Sequence, residues 1–246
     1  MWRWIVYFFT AKRGGHGVHS PLVYKWQEHF KQSKAAIFPY VFSDQELDIE
    51  VPPSSFGAGS KKAQNQTLKN YFARIAWDRN QLGLLHSFLA AVPGSWKVLE
   101  LGTGGGSCAF QLDKHPQVDS LTTVDADDRF WDIIQAKFSK KTTFVKSLFQ
   151  PYLEKEAGHF SLIILDGDHV GERVLQYLDL ILQQSKDRPV WLVLDDIRWT
   201  KDMFTAWESI INRPQISLSV DAGRVGYLYL GPRKQKEHFR VWVKPF

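Results

Sequence analysis

The sequence predicts an α/β protein with a doubly wound, mostly parallel seven-stranded sheet, an antiparallel C-terminal hairpin and a helical N-terminal extension. Two observations lead to this fold class. From residue 97 onward, short apolar segments alternate with amphipathic segments of helical period. Several of the apolar segments end abruptly in glycine or aspartate, as strands do at the ligand-binding edge of such sheets. With 246 residues, 44% of them hydrophobic, the chain can form one sizeable domain.

Seven segments have the composition of strands. The segment 159–166 is almost wholly apolar at its centre, which is typical of a strand buried on both faces of a parallel sheet. The last two segments flank a short turn at Gly223 and predict the closing hairpin. The predicted strands are 97–101, 121–125, 142–146, 159–166, 190–195, 216–220 and 225–230. Apolar residues at helical spacing predict the intervening helices, which are 105–114, 127–138, 170–184 and 202–211.

The first 95 residues have a different pattern. Ser20 followed by Pro21 favours a helix start, with serine as N-cap and proline at the first helical position. A second, longer helix is predicted over 67–92, and 52–60 reads as a loop. The aromatic start, MWRWIVYFFTAKR, is interpreted as the first turns of a helix, which leaves contact with a membrane surface open.

Composition restricts the classes of function. Cys108 is the only cysteine, so an internal disulfide is excluded and a cytoplasmic protein is expected. No apolar run approaches the roughly 20 residues that span a bilayer. The net charge of +5 is concentrated in the basic ends of the chain, which we interpret mainly as solvated termini. Nucleic acid is not an expected partner, because no basic run carries interleaved aromatic residues. Whether the protein forms a homodimer is left open by the sequence.

A glycine-rich loop follows the first strand. Its sequence, ELGTGGG at 100–106, lets the backbone turn tightly and approach a ligand. The dinucleotide fingerprint would need its third glycine one place later, at Ser107. Asp125 ends the next strand, where it can accept hydrogen bonds from both hydroxyls of a ribose. A turn that merely packs a helix on the sheet and a nicotinamide-binding domain are the alternatives.

ELGTGGG and the following TVDAD resemble the first two motifs of class I S-adenosylmethionine-dependent methyltransferases, over roughly 70–231. The resemblance implies a Rossmann-like methyltransferase fold with S-adenosylmethionine as cofactor. It divides the chain into an N-terminal extension or lid, 1–70, and a cofactor-binding domain, 71–246. Asp125 would hold the ribose, Ser147 would lie near the adenine, and Glu100 would anchor either the loop or the methionine amine. The implied cofactor contacts are Glu100, Gly102, Thr103, Gly104, Gly106, Asp125 and Ser147.

Carboxylates also follow the fourth and fifth strands. Asp166 ends the fourth, and Asp195 and Asp196 end the fifth. If these strands are neighbours, about 4.8 Å apart, the repulsion should raise at least one pKa. A divalent cation such as Mg²⁺ or Ca²⁺ would relieve it. The alternative is that the aspartates cap the helices that follow.

This arrangement resembles the metal-dependent O-methyltransferases of the catechol and caffeoyl-CoA type. The resemblance implies that Asp166, Asp195 and Asp196 bind the metal, with Asp196 standing where that family has asparagine. His169 stands where those enzymes have a lysine base, and it is similar to the histidine of sugar O-methyltransferases with D-x-x-H. We therefore expect His169 as general base, with Asp166 beside it. A helix N-terminal histidine bonded to a nearby acid is the alternative, and Asp168 is either its partner or an N-cap.

The whole chain also resembles uncharacterised bacterial methyltransferase-like proteins that carry HGVHSP near the N-terminus. His16 and His19 in that segment are expected either to contact substrate or to cap the next helix. The expected function is O-methylation of a small hydroxylated molecule with a divalent metal. The alternatives are a metal-independent methyltransferase that uses His169 alone, and a non-catalytic cofactor-binding module associated with a partner or a membrane.

Overall fold

The computed structural model describes residues 2–13, 18–32, 41–51, 54, 56, 66–185, 188–233 and 235–243. His16 and most of the predicted loop at 52–60 lie outside the described residues.

An eight-stranded, mostly parallel sheet forms the centre of the protein, which confirms the predicted fold class. The strands are β1 (Trp96–Leu101), β2 (Val118–Asp125), β3 (Thr142–Lys146), β4 (Leu162–Leu165), β5 (Val190–Leu194), β6 (Ile216–Ala222), β7 (Val225–Leu230) and β8 (Glu237–Arg240). Their order across the sheet is β3-β2-β1-β4-β5-β7-β6-β8. β1 to β5 are parallel, and β7 pairs antiparallel with both β5 and β6. All seven predicted strands are present. The additional strand, β8, pairs in parallel with β6 and forms one edge.

Helices cover both faces of the sheet. They are α1 (Trp2–Thr10), α2 (Pro21–Gln32), α3 (Asp44–Leu47), α4 (Leu68–Ile75), α5 (Arg79–Ala91), α6 (Ser107–Lys114), α7 (Trp131–Ile134), α8 (Phe149–Glu156), α9 (Gly171–Ser185) and α10 (Lys201–Asn212). Apolar side chains of α2, α5 and α6 share one core with one face of the sheet. Those of α8, α9 and α10 share a second core with the other face. The strand order reverses between β1 and β4, so a ligand site is expected at their carboxyl ends.

The predicted helix over 67–92 is wrong as one element, because the chain breaks between α4 and α5. Asp78 forms a capping box with Gln81: its Oδ1 accepts hydrogen bonds from the backbone N–H groups of Asn80 (2.8 Å) and Gln81 (2.9 Å). The Gln81 side chain accepts one from the backbone N–H of Asp78 at 2.9 Å. These bonds satisfy N–H groups that a helix start leaves free. The break turns Trp77 and Gln81 toward the sheet edge.

Two other helix predictions need correction. The stretch 127–138 is helical only as α7 and a following 3₁₀ turn, Gln135–Lys137. Sequence reasoning missed α8, which lies directly after the third strand.

The N-terminal helices begin as predicted. α2 starts at Pro21, but the Ser20 hydroxyl is buried without a hydrogen-bond partner among the described residues, so serine does not cap the helix through its side chain. Within the described ranges, no helix is both long and apolar enough to cross a membrane. The division at residue 70 falls inside α4 and stays a prediction.

Candidate active site

The glycine loop after β1 is in direct backbone contact with the end of β4. Gly102, Gly104 and Gly106 have φ angles of 111°, 49° and 77°, which L side chains rarely adopt. A Cβ atom on Gly102 would lie 2.5 Å from the carbonyl oxygen of Asp166. Glycine is therefore required at 102, and the loop and Asp166 belong to the same edge of the sheet.

Asp125 is bound to this loop at the end of β2. Its Oδ2 accepts a hydrogen bond from the Gly104 N–H at 3.1 Å, and its Oδ1 accepts one from the Asp127 N–H at 2.9 Å. Burial raises its pKa, and the two backbone bonds oppose that rise. Each carboxylate oxygen keeps a lone pair for another donor. Asp125, which is predicted to hold a ribose, thus lies beside the loop and has lone pairs that can accept further hydrogen bonds.

Glu100 lies beneath the loop and is fully buried. Its Oε2 accepts a hydrogen bond from the Thr123 hydroxyl, which lies 2.7 Å from the Thr103 hydroxyl in the loop. Burial raises the pKa of Glu100 to about 7. Among the described residues, none donates to its Oε1 with normal hydrogen-bond geometry, although the Cys108 thiol and the Ala109 N–H lie near enough to oppose the rise in pKa. Of its two predicted roles, this position favours anchoring of the loop through Thr123 and Thr103.

Gly106 and Ser147 lie at the same edge. Gly106 is the N-cap residue of α6, and its N–H donates to the Thr103 carbonyl at 2.7 Å. The Ser147 N–H donates to the Asp125 carbonyl at 3.1 Å, and its hydroxyl donates to the Leu148 carbonyl at 2.8 Å. The structure therefore brings all seven predicted cofactor residues to one region, while their contacts with a cofactor stay predictions.

Asp166 and Asp195 face each other at the ends of β4 and β5, and these strands are neighbours, which is the condition for the expected repulsion. Burial, and next Asp196, raise the pKa of Asp195 to about 6. Burial, and next Asp195, raise the pKa of Asp166 well above its usual value. The predicted rise in pKa is confirmed, but desolvation contributes more than repulsion between the carboxylates.

Three groups that sequence reasoning missed surround this acid pair. The Gln81 side-chain amide donates to Asp195 Oδ1 at 2.7 Å. The Trp77 indole lowers the pKa of Asp166, although its buried N–H falls short of normal hydrogen-bond geometry. The Arg224 guanidinium lies 3.6 Å from Asp195 Oδ2 and donates to Asp196 Oδ1 at 2.5 Å. The capping pattern from Asp78 to Gln81 was the only local signal for any of them.

His169 lies with Asp166 and Asp195. Each of the three residues has one atom that could bind a metal ion, and these three atoms all lie within 4.8 Å of one another. The His169 Nε2 atom is also 3.9 Å from Asp196 Oδ2. Asp196, with a φ of 53°, directs its other oxygen to Arg224. The structure thus groups His169 with two of the three predicted metal ligands, and Asp196 borders this group.

Asp168 differs from both of its predicted roles. Its carboxylate accepts hydrogen bonds from Arg173 Nε and from the Tyr177 hydroxyl, each at 2.6 Å. The first N–H of α9, at Gly171, is instead capped by Asp202 at 2.6 Å. Asp168 therefore neither partners His169 nor caps this helix.

One family model matches the part of the chain that carries this site. Residues 99–197 match the family model described as a methyltransferase domain. The match covers less than half of the chain, and it extends from β1 through Asp125, Asp166 and His169 to both aspartates after β5. No curated protein matches this chain.

Solved structures share the fold. A proposed caffeoyl-CoA O-methyltransferase from Staphylococcus aureus is 12% identical, with a TM-score of 0.54 over 67% of this chain and 90% of that one. A proposed O-methyltransferase from Klebsiella pneumoniae is 16% identical, with a TM-score of 0.48 over 89% and 94%. MycE, a mycinamycin-pathway methyltransferase in complex with Mg and SAH, is 16% identical, with a TM-score of 0.48. This alignment covers 58% of this chain and 47% of MycE.

Proposed function

We propose that this protein is an S-adenosylmethionine-dependent methyltransferase that methylates a hydroxyl oxygen of a small molecule. The observation that carries the proposal is the backbone contact between Gly102 in the glycine loop and Asp166 in the acid cluster. A donor held at the loop and an acceptor held by Asp166, Asp195 and His169 would meet at one edge of the sheet. The match of 99–197 to a methyltransferase domain supports this function, because it spans both parts.

The loop residues fit a nucleoside cofactor. Among the described residues, a Cβ atom on Gly104 would meet only Ile75, at an ordinary 3.8 Å, so the loop backbone is approachable there. The carboxylate of Asp125 can accept hydrogen bonds from ribose hydroxyls in addition to those from the Gly104 and Asp127 N–H groups. When bound, S-adenosylmethionine supplies an electrophilic methyl group. The contribution of the chain is to hold donor and acceptor in line, which can lower the barrier by roughly 7–11 kcal/mol.

The acid pair fits a hard divalent cation. Asp166 and Asp195 offer oxygen ligands whose pKa values are raised by burial and then by a neighbouring carboxylate, Asp195 for Asp166 and Asp196 for Asp195, and a cation would reverse that effect. Mg²⁺ is commonly held by one or two carboxylates together with water and substrate. Bound there, Mg²⁺ or Ca²⁺ would lower the pKa of the acceptor hydroxyl. Asp196, the third predicted ligand, has its Oδ1 bound by Arg224, so its Oδ2, which lies 3.9 Å from His169 Nε2, is the atom through which it could join.

His169 is the proposed general base. Its Nε2 would take the proton from the acceptor hydroxyl as the oxygen forms its bond to the methyl carbon and the bond from carbon to sulfur breaks. Asp196, 3.9 Å from that nitrogen, would stabilise the imidazolium that results. The products are a methyl ether and S-adenosylhomocysteine.

A metal-independent methyltransferase is the second candidate, and Arg224 favours it. Its guanidinium already places one positive charge beside Asp195 and Asp196. In that case His169 alone activates the acceptor. The third alternative, a binding-only module, would have the same cofactor site and no turnover.

Calorimetry with S-adenosylhomocysteine tests the proposal. We expect Asp125→Asn to weaken binding about tenfold or more, because it removes the charged acceptor of the ribose hydroxyls. Asp128→Asn is the matched control, since Asp128 lies on the surface in a pair with Lys146. Absence of binding to the unmodified protein would contradict the proposal.

A Mg²⁺ titration of the S-adenosylhomocysteine complex separates the two mechanisms. If the complex binds Mg²⁺ and Asp195→Asn abolishes this binding, metal assistance is supported. If the complex binds no Mg²⁺, the Arg224-compensated mechanism is supported instead.

A further inference from the structure

The outward side of α1 is apolar, although it lies on the protein surface. Surface helices usually direct polar residues outward, and a contiguous exposed apolar patch marks an interaction site. The residues of this α1 apolar face, with their exposed fractions, are Trp2 (71%), Trp4 (45%), Ile5 (46%), Phe8 (52%) and Phe9 (81%). The face therefore needs a partner that the chain itself does not supply among its described residues.

Contacts on the inner side of α1 hold the helix in this orientation. The buried Tyr7 hydroxyl donates to the Val241 carbonyl at 2.7 Å. The Arg198 guanidinium lies 4.7 Å from the Tyr7 ring and 5.6 Å from the Trp4 ring. Arg198 is itself fixed by two hydrogen bonds of 2.6 Å to the buried Asp221. Because the helix is fixed from within, its apolar face stays directed away from the body.

Cationic side chains border this face. Arg13 lies 5.7 Å from the Phe8 ring and 4.7 Å from the Trp242 ring, and Lys12 is exposed. Arg240 donates to the Thr10 hydroxyl at 2.5 Å. The nearby acid, Asp221, is fully buried and paired with Arg198 and Arg240. The exposed charge at the end of α1 is thus positive.

We propose that the α1 apolar face docks on an anionic lipid bilayer surface. Tryptophan and phenylalanine enter the interfacial layer favourably, and adjacent lysine and arginine attract anionic headgroups. The cations also argue against a second copy of the chain as occupant, because pairing two such faces brings both sets of Lys12 and Arg13 to one interface. The nine-residue helix would give reversible attachment. This proposal rests on other residues than the proposed methyl transfer.

Co-sedimentation of the full chain with vesicles tests the docking. We expect binding to phosphatidylcholine vesicles that contain phosphatidylserine, and much weaker binding to phosphatidylcholine alone. The double variant Trp2→Ser/Phe9→Ser should reduce binding to the anionic vesicles about tenfold or more. Tyr24→Ser, on α2 and also exposed, is the matched control and should bind like the unmodified protein.

A second variant tests the charge separately from the apolar contact. Lys12→Gln/Arg13→Gln should lose the preference for anionic vesicles, and added salt should have the same effect on the unmodified protein. Equal binding of the unmodified protein and both variants would overturn the proposal. Another result would also overturn it: the unmodified protein does not bind vesicles, forms a dimer in sedimentation velocity, and becomes monomeric in Trp2→Ser/Phe9→Ser. That result would identify a second copy of the chain as the occupant.

Discussion

The two halves of the carboxyl edge of the sheet hold their acids with different kinds of partner. At the ends of β1 and β2, Asp125 and Glu100 accept hydrogen bonds from groups of the same loop and its neighbouring strand. At the ends of β4 and β5, Asp166 and Asp195 face each other. The nearest donors to Asp195 there are Gln81 and Arg224, which come from distant parts of the chain.

This difference shows what each half can do. The first half is a binding loop whose acids are hydrogen-bonded to the loop and to the neighbouring strand, although burial still raises the pKa of both Glu100 and Asp125. The second half holds negative charge that burial makes costly and that Arg224 balances only in part. It can therefore gain stability from a proton, a cation or a polar substrate. We expect changes in the first half to affect cofactor binding and changes in the second half to affect cation binding and turnover.

The largest expected effect is at the contact between the two halves. In Gly102→Ala, the new Cβ would lie 2.5 Å from the Asp166 carbonyl oxygen, so we expect a loss of about 3 kcal/mol or more in the free energy of unfolding. Affinity for S-adenosylhomocysteine should fall about 100-fold or more. Gly94→Ala is the control, because Gly94 also has a positive φ, 125°, and a Cβ atom there would have no neighbour within 4 Å in the described part of the chain. Affinity is measured by calorimetry. Equal affinities of the two variants for S-adenosylhomocysteine would show that Gly102 is not part of the cofactor site.

His169→Ala should lower turnover about 100-fold with little change in affinity for S-adenosylhomocysteine. The reason is that the imidazole acts on the acceptor proton and lies outside the cofactor loop. Turnover can be followed as release of S-adenosylhomocysteine with an acceptor chosen from a panel of catechols and sugars. His159→Ala, at an exposed position, serves as the control. An unchanged rate would remove His169 from the mechanism.

Glu100→Gln should change how stability depends on pH. The folded-state pKa of about 7 lies above the ordinary 4.5, so the proton bound by folded Glu100 stabilises the protein fully below pH 4.5. This contribution is lost as the pH rises through 7. Glutamine keeps the shape without ionising, so the variant should gain on the order of 2 kcal/mol relative to the unmodified protein between pH 5 and pH 8. Urea unfolding at both pH values measures the change.

The surface variant Glu154→Gln provides the baseline for this experiment, because Glu154 is exposed. A pH dependence identical in Glu100→Gln and the unmodified protein would mean that Glu100 does not carry the proton.

The smallest expected effect is at Arg224. At pH 8, where Asp195 with its pKa of about 6 is ionised, Arg224→Gln should bind Mg²⁺ about tenfold more tightly. The substitution removes a positive charge that competes with the cation at Asp195. Arg213→Gln, which breaks only a pair with the exposed Asp179, should leave Mg²⁺ affinity unchanged. A fall in affinity on Arg224→Gln would show that the arginine supports the metal site.

The sequence predicted the sheet and its acidic edge because each apolar run ends where the polar site begins. Glu100, Asp125, Asp166 and Asp195 could be placed from the ends of their own strands. Arg224 could not, because its position depends on pairing between Leu194 and Gly226, which no local pattern sets. β8 has a short, polar sequence, EHFR, and was missed for that reason. Asp78 and Gln81 have the sequence pattern of a capping box, which indicates a helix start before α5. The pattern was overlooked because apolar residues at helical spacing suggested one continuous helix.

The central claim is that the glycine loop and the acid cluster form one site for donor and acceptor. A crystal structure of the protein with S-adenosylhomocysteine tests it most directly. We predict that the ribose hydroxyls bind Asp125 and that the sulfur faces the group formed by Asp166, His169 and Asp195. S-adenosylhomocysteine bound with its sulfur directed away from these three residues, or bound at another surface, would contradict the account.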